Sequence, residues 1–248
     1  MKDVSIGNRL IGITHKPYII AELSGNHGGS LDRAIELIKS AASTGADAIK
    51  FQTYTPDTIT IDSDREEFLI SDTSSIWHGR TLYDLYEEAH TPWEWHEPMF
   101  ECARSLGVEV FSSPFDISSV DFLENLNVSA YKIASLELSD TQLIQRVAQT
   151  GKPLIMSTGG AKLADIENAM NVARCNGAKD IILLKCTSAY PALPEDANLK
   201  SMVTLRQLFG CHVGLSDHTL GTAVSLASIA LGGTVIEKHF IDKKSYET

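Results

Sequence analysis

The stretch that decides the fold is His212–Phe240, HVGLSDHTLGTAVSLASIALGGTVIEKHF. It opens on a short apolar run, Val213–Leu215, passes into an alanine-, leucine- and isoleucine-rich segment over Gly221–Leu231, turns at Gly232 and closes on a second apolar run, Val235–Ile236. Strand, helix and strand in ~30 residues is a βαβ unit, whose crossover helix makes its two strands parallel. Each strand finishes on a histidine, His218 in GLSDHT and His239 in IEKHF, so each imidazole stands at or just past a strand's C-terminal end. In an α/β barrel that end is where active sites are built. Two neutral imidazoles converging on one point make a grip for a divalent metal, and the adjacent carboxylates Asp217 and Glu237 are candidates to orient them.

The same punctuation extends backwards along the chain. Strand candidates are Tyr18–Glu22, Ala48–Gln52, Val108–Ser112, Ala130–Ile133, Leu154–Ser157, Ile181–Lys185, His212–Leu215 and Val235–His239. Helical periodicity fills the intervals over Leu31–Thr44, Pro92–Leu106, Ile117–Leu126, Thr141–Thr150, Leu163–Asn176, Leu199–Phe209 and Gly221–Leu231. The alternation predicts a closed (β/α)8 TIM barrel over residues 18–248, with residues 1–17 forming an N-terminal hairpin (Ser5–Lys16) that covers the barrel bottom. A length of 248 residues suits one such barrel, typically ~250 residues. Two features break the regularity. Thr53–Thr91 is too long for an ordinary βα loop and reads as a lid, carrying Trp77, Tyr83 and Tyr86. The eighth helix is missing after Val235–His239, which predicts uncovered apolar faces on the first and eighth strands and a marginally stable or oligomeric chain.

A hydrophobic fraction of 43% supports one large core, and a net charge of −11 argues against a nucleic-acid partner. Cys102, Cys175, Cys186 and Cys211 show no CxxC spacing, which reads as reduced thiols in a cytoplasmic protein. No apolar run reaches the ~18 residues of a membrane helix, so no membrane partner is expected. Polar groups nevertheless gather where the strands end. Glu22 closes the first strand, Lys50 and Gln52 the second and Lys185 the sixth, while Lys132 interrupts the fourth. A buried carboxylate or ammonium must meet a partner, and Lys50 and Lys132 have none near them in sequence. Small hydroxyls recur at the matching positions: Ser113, Ser135, Ser157, Thr158, Thr187, Ser188 and Ser216. With the lysines and the backbone N–H groups of Ser157–Gly160 they predict a cradle for phosphate or carboxylate. Asn26–Gly29 reads as turn chemistry before an N-cap at Ser30.

Taken together and in order, IAELSGNHGGS, AIKFQTYTPDTIT, FSSPFD, YKIASLE, MSTGGA, CTSAYP, GLSDHT and IEKHF make the chain similar, from about Val4 to Phe240, to the sialic acid synthase family, the phosphoenolpyruvate-condensing nonulosonate synthases. The segments YTPDTITID, GRTLYDLYEEAHTPWEWH, ASLELSD and LKCTSAYPA resemble the branch that uses a 2,4-diacetamido-2,4,6-trideoxy-altropyranose, with the neuraminate- and legionaminate-forming branches as alternatives. The resemblance implies a transferase that joins phosphoenolpyruvate to an N-acetylated amino sugar, working as a homodimer with a C-terminal antifreeze-like (SAF) domain, which is absent from these residues. Its product goes to flagellin or surface polysaccharide. It implies His218 and His239 as ligands of manganese, with magnesium or cobalt as substitutes. It implies catalytic roles for Glu22, Gln52 and Glu137, phosphoenolpyruvate contacts for Lys50, Ser113, Lys132, Ser135, Ser157, Ser188 and Ser216, and sugar contacts for Tyr190 and Glu237. The alternative to an enzyme is a truncated, non-catalytic barrel that binds an anion or a partner without turnover.

Overall fold

In the computed structural model, which describes residues 1–73 and 77–243, the chain begins with an antiparallel hairpin, β1 (Val4–Ile6) and β2 (Arg9–Ile11). Val4, Ile6 and Ile11 bury themselves in the main core, and the His212 ring bonds the Lys2 carbonyl, tying this hairpin region to the start of a barrel strand. The barrel strands are β3 (Tyr18–Glu22), β4 (Ala48–Thr53), β5 (Glu109–Pro114), β6 (Tyr131–Ile133), β7 (Leu154–Ser157), β8 (Ile181–Cys186), β9 (His212–Asp217) and β10 (Val235–His239). They pair in parallel in sequence order and close where β10 meets β3.

Helices pack around them for reasons written in their first turns and periodicity. In α1 (Leu31–Ser43), Ser30 caps the Arg33 N–H, and Ala34, Leu37, Ile38 and Ala41 form one buried stripe. Within the long segment after β4 lie α2 (Pro56–Ile59), a 3₁₀ turn at Glu66–Phe68 and α3 (Leu82–Ala89), the last opened by a Thr81–Asp84 capping box. Residues 74–76 of that segment lie outside the described residues. Next come α4 (Trp93–Ser105), α5 (Ile117–Asn125), α6 (Thr141–Ala148), α7 (Leu163–Cys175), α8 (Lys200–Phe209) and α9 (Ala223–Ala230). Trp93 stacks on Phe122, and Trp95 meets His27 edge-on. No described helix is long and apolar enough to cross a membrane.

The expected bare faces on β3 and β10 are only partly bare among the described residues. On β10, Ile236 is 6% exposed, packed with Ala197, Leu215 and Val224, whereas Ile19 on β3 is 38% exposed. The tail from residue 244 lies outside the described residues.

Candidate active site

Parallel register places the polar strand ends side by side. Glu22 pairs across β3 with Lys50 on β4 and across the closing seam with His239 on β10. Gln52 pairs with Ser113, and Ser216 pairs with both Cys186 and Glu237. Side chains alternate along a strand, so each strand can offer the cavity residues two apart. Lys50 and Gln52, Cys186 and Ser188, Ser216 and His218, and Glu237 and His239 are four such pairs, and all of them line one cavity of about 570 Å³. Its wall also contains Glu22, Ser113, Lys132, Ser135, Glu137, Ser157 and Tyr190, so every residue to which the family resemblance assigned a role is brought to one place, whereas Thr158, Thr187 and Lys185 are not in that wall.

Four buried charges form its base. The Lys50 Nζ lies 2.5 Å from the Glu22 carboxylate and 4.0 Å from that of Glu237, and donates to the Ser113 hydroxyl at 3.1 Å. The Lys132 Nζ lies 3.3 Å from the Glu237 Oε1, which also accepts from the Ser216 hydroxyl at 3.0 Å. Folding thus brings to both lysines, from distant parts of the chain, the carboxylate partners that their burial requires. Burial pulls the Lys50 ammonium down, but Glu22 and Glu237 outweigh it and hold Lys50 above its ordinary pKa. Lys132 stays below its ordinary value, because burial outweighs the attraction of Glu237. Burial pushes Glu237 up, while Lys132 and Lys50 pull it down further, to about 2. Glu237, expected at the sugar, is held between the lysines as their counter-ion. An ammonium carries three donors, so Lys132 keeps N–H groups for an incoming anion.

Several expectations change in detail. The Thr158 N–H is spent on the Leu184 carbonyl and the Gly159 N–H on the Ser135 hydroxyl, at 3.0 Å each, so these two backbone donors are not free for an anion. The site closes tightly there: a Cβ at Gly159 would stand 2.4 Å from Ser188 Oγ and 2.8 Å from Ser135 Oγ. Thr158 and Thr187 turn to the Leu184 and Asp196 carbonyls. Lys185 is not in the cavity wall; its ammonium bonds the Cys186 carbonyl and Thr187. Asp217 does not orient a histidine. It accepts from Thr219 and Ser225 and pairs with Lys238 at 3.0 Å, as its alternation with Ser216 and His218 requires.

The imidazoles of His218 and His239 lie with ring centroids 5.3 Å apart, and Tyr190 covers both, at 4.2 and 5.7 Å. The Nδ1 of His218 donates to the Thr187 carbonyl at 2.9 Å, which places the proton on Nδ1 and leaves the Nε2 lone pair. Among the described residues no group of three His, Cys, Asp or Glu side chains is gathered as a metal cage. A two-imidazole set fits an open ion site whose remaining positions take solvent and substrate, rather than a closed structural one. Burial raises the half-buried Glu137 carboxyl above its ordinary pKa.

Some lining residues carried no site assignment from sequence: Tyr54, Ile59, Tyr86, Phe115 and Cys186. Burial lifts the Cys186 thiol, but contacts with His218, Ser135 and Ser188 bring it to about 7. Its place two residues before Ser188 was the available signal. Ser24, just behind the wall, bonds Glu22.

The chain matches the NeuB family model over residues 37–248. It is 46% identical over 245 residues to a pseudaminic acid synthase of Campylobacter jejuni, covering 99% of this chain and 70% of that protein. It is 47% identical over 232 residues to the pseudaminic acid synthase of Helicobacter pylori, covering 94% and 68%. The crystal structure of the N-acetylneuraminic acid synthetase of Leptospira borgpetersenii, in complex with citrate, superposes with a TM-score of 0.86 at 30% identity, over 98% of this chain and 79% of that one. A closed barrel with this cavity at its strand ends, matched by sequence over nearly its whole length, belongs to the NeuB family.

Proposed function

We propose that the chain catalyses the reaction of the pseudaminic acid synthases: phosphoenolpyruvate, the open-chain aldehyde of a 2,4-diacetamido-2,4,6-trideoxy-altropyranose and water give pseudaminic acid and phosphate. The observation that supports this reading is that one cavity is lined by Lys132, Ser135 and Ser188 and also by the two imidazoles of His218 and His239. The methylene carbon of the enol phosphate forms the new C–C bond with the aldehyde carbon. Water adds at the carbon bearing the phosphate, and the C–O bond to phosphate breaks. Of the two protons of that water, one ends on the former aldehyde oxygen and one on phosphate.

Lys50, Lys132 and the serines Ser113, Ser135, Ser157, Ser188 and Ser216 hold the carboxylate and phosphate of phosphoenolpyruvate. Glu22 and Gln52 stand beside the imidazoles and place water and aldehyde, and Glu137, with its raised pKa, moves a proton. Tyr190 packs against the sugar. His218 and His239 hold a divalent cation, manganese in the first instance, which supplies Lewis acidity to the aldehyde oxygen. The same reading has the chain working in the cytoplasm as a homodimer, its product decorating flagellin or surface polysaccharide.

The test is turnover of phosphoenolpyruvate with the altro sugar, against the substrates of the neuraminate- and legionaminate-forming branches, read as phosphate and as nonulosonate by mass. The reading expects the highest kcat/KM for the altro sugar and none without sugar. Preference for another branch's substrate overturns the sugar assignment, and no condensation with any of them overturns the activity.

A further inference from the structure

Ser24 stands where glycine would be the natural choice. It is the first inner residue of the turn closed by the Asn26 N–H and the Leu23 carbonyl at 3.1 Å, and its φ is 46°. That left-handed conformation disfavours a residue with a Cβ and tends to persist where a side chain is required. The Ser24 hydroxyl lies 2.9 Å from Glu22 Oε1, 3.3 Å from His239 Nδ1 and 3.4 Å from Gln52 Nε2. A hydroxyl has one proton to give and two lone pairs. The Glu22 carboxylate only accepts, so the Ser24 proton goes to Glu22. The Gln52 amide donates to Ser24, and His239 must do the same through Nδ1–H.

We infer that Ser24 is a positioning residue that holds His239 in its Nδ1–H tautomer, so that the Nε2 lone pair is the free one, and fixes the Glu22 carboxylate with its other oxygen toward Lys50. It does for His239 what the Thr187 carbonyl does for His218. Both rings, with centroids 5.3 Å apart, then keep Nε2 as the free lone pair. The consequence for cation binding rests on the proposed metal role of the two histidines; the tautomer assignment does not.

The experiment compares the parent with Ser24→Gly and Ser24→Ala. Glycine accepts the backbone conformation, so Ser24→Gly removes the hydroxyl without straining the turn, and its melting temperature should equal or exceed that of the parent. The first readout is the two-bond ¹H–¹⁵N spectrum of metal-free, ¹⁵N-histidine-labelled protein at about pH 8, where imidazoles are neutral, with His239→Gln assigning the resonance. The parent should show His239 protonated at Nδ1, and both Ser24 variants should shift it to the Nε2–H form or a mixture. The second is a titration with manganese followed by the electron paramagnetic resonance of the free ion. Ser24→Gly should weaken binding about 10-fold or more, as loss of a partner behind a ligand does. A His239 tautomer identical in parent and both variants overturns the inference, as does parental manganese affinity in Ser24→Gly. A parent that binds no manganese, or a His239→Ala variant that binds as the parent does, sinks the metal role instead, and the tautomer spectrum then decides the Ser24 assignment alone.

Discussion

Replacing Glu237 by glutamine tests the charge arithmetic of the cavity base. Glu22, Lys50, Lys132 and Glu237 are 2–5% exposed and sum to zero. The substitution leaves Lys50 its 2.5 Å partner Glu22 but takes from Lys132 the carboxylate at 3.3 Å, the sole ion-pair partner it has among the described residues. Breaking a buried pair on one side costs ~3–5 kcal/mol, a large share of the ~5–15 kcal/mol that holds a domain together. At an m-value of ~3 kcal/mol/M the urea midpoint should fall by about 1–2 M. The pH dependence carries a sign. The Glu237 pKa is about 2 in the folded chain against an ordinary 4.5. A depressed carboxyl stabilises the fold fully above the unfolded value and loses that contribution as pH falls through the folded one. The gap between parent and Glu237→Gln should therefore be constant at neutral pH and narrow from pH 4.5 toward 2. Lys132→Met combined with Glu237→Leu removes both charges and should recover most of the loss. A glutamine variant within ~0.5 kcal/mol of the parent, or a double variant no more stable than the single one, would refute the pairing argument.

Other outcomes follow from the same geometry. Lys132→Ala should weaken phosphoenolpyruvate binding by ~1.5–3 kcal/mol, roughly 10- to 100-fold in a calorimetric titration, and equal affinity would reject the anion contact. Alanine at either His218 or His239 should abolish metal-dependent turnover, with unchanged metal stoichiometry in both variants counting against the site. Gly159→Ala forces a methyl to within 2.4 Å of Ser188 Oγ and 2.8 Å of Ser135 Oγ, so KM for phosphoenolpyruvate should rise at least severalfold while the sugar KM changes less. Equal rises in both would mean that the whole barrel had shifted.

Strand identity was legible because the strands are short apolar runs, most of them between a glycine-ended helix and a polar loop, and Tyr18–Glu22, Leu154–Ser157 and Val235–His239 match residue for residue. The site was legible because a charged side chain inside an apolar strand, such as Lys50 or Lys132, costs stability unless a partner or a ligand meets it. What the chain did not reveal is mostly non-local. Nothing near Lys132 in sequence points to Glu237, since only barrel closure brings β10 across from β6. Two errors had a readable signal: alternation along a strand turns Asp217 and Lys185 away from a cavity that faces His218 and Cys186. The helix at Leu82–Ala89 was also readable, from the Thr81–Asp84 capping box inside what looked like loop. Ser24 was not, because its role depends on a φ that serine rarely adopts.

One cavity with an anion end and a cation end is tested most directly by a crystal structure of the protein with phosphoenolpyruvate and manganese bound together. The phosphate should lie against Lys132, Ser135 and Ser188, with anomalous scattering from manganese between His218 and His239. Phosphoenolpyruvate bound away from the strand ends, or manganese held by other residues, would contradict it.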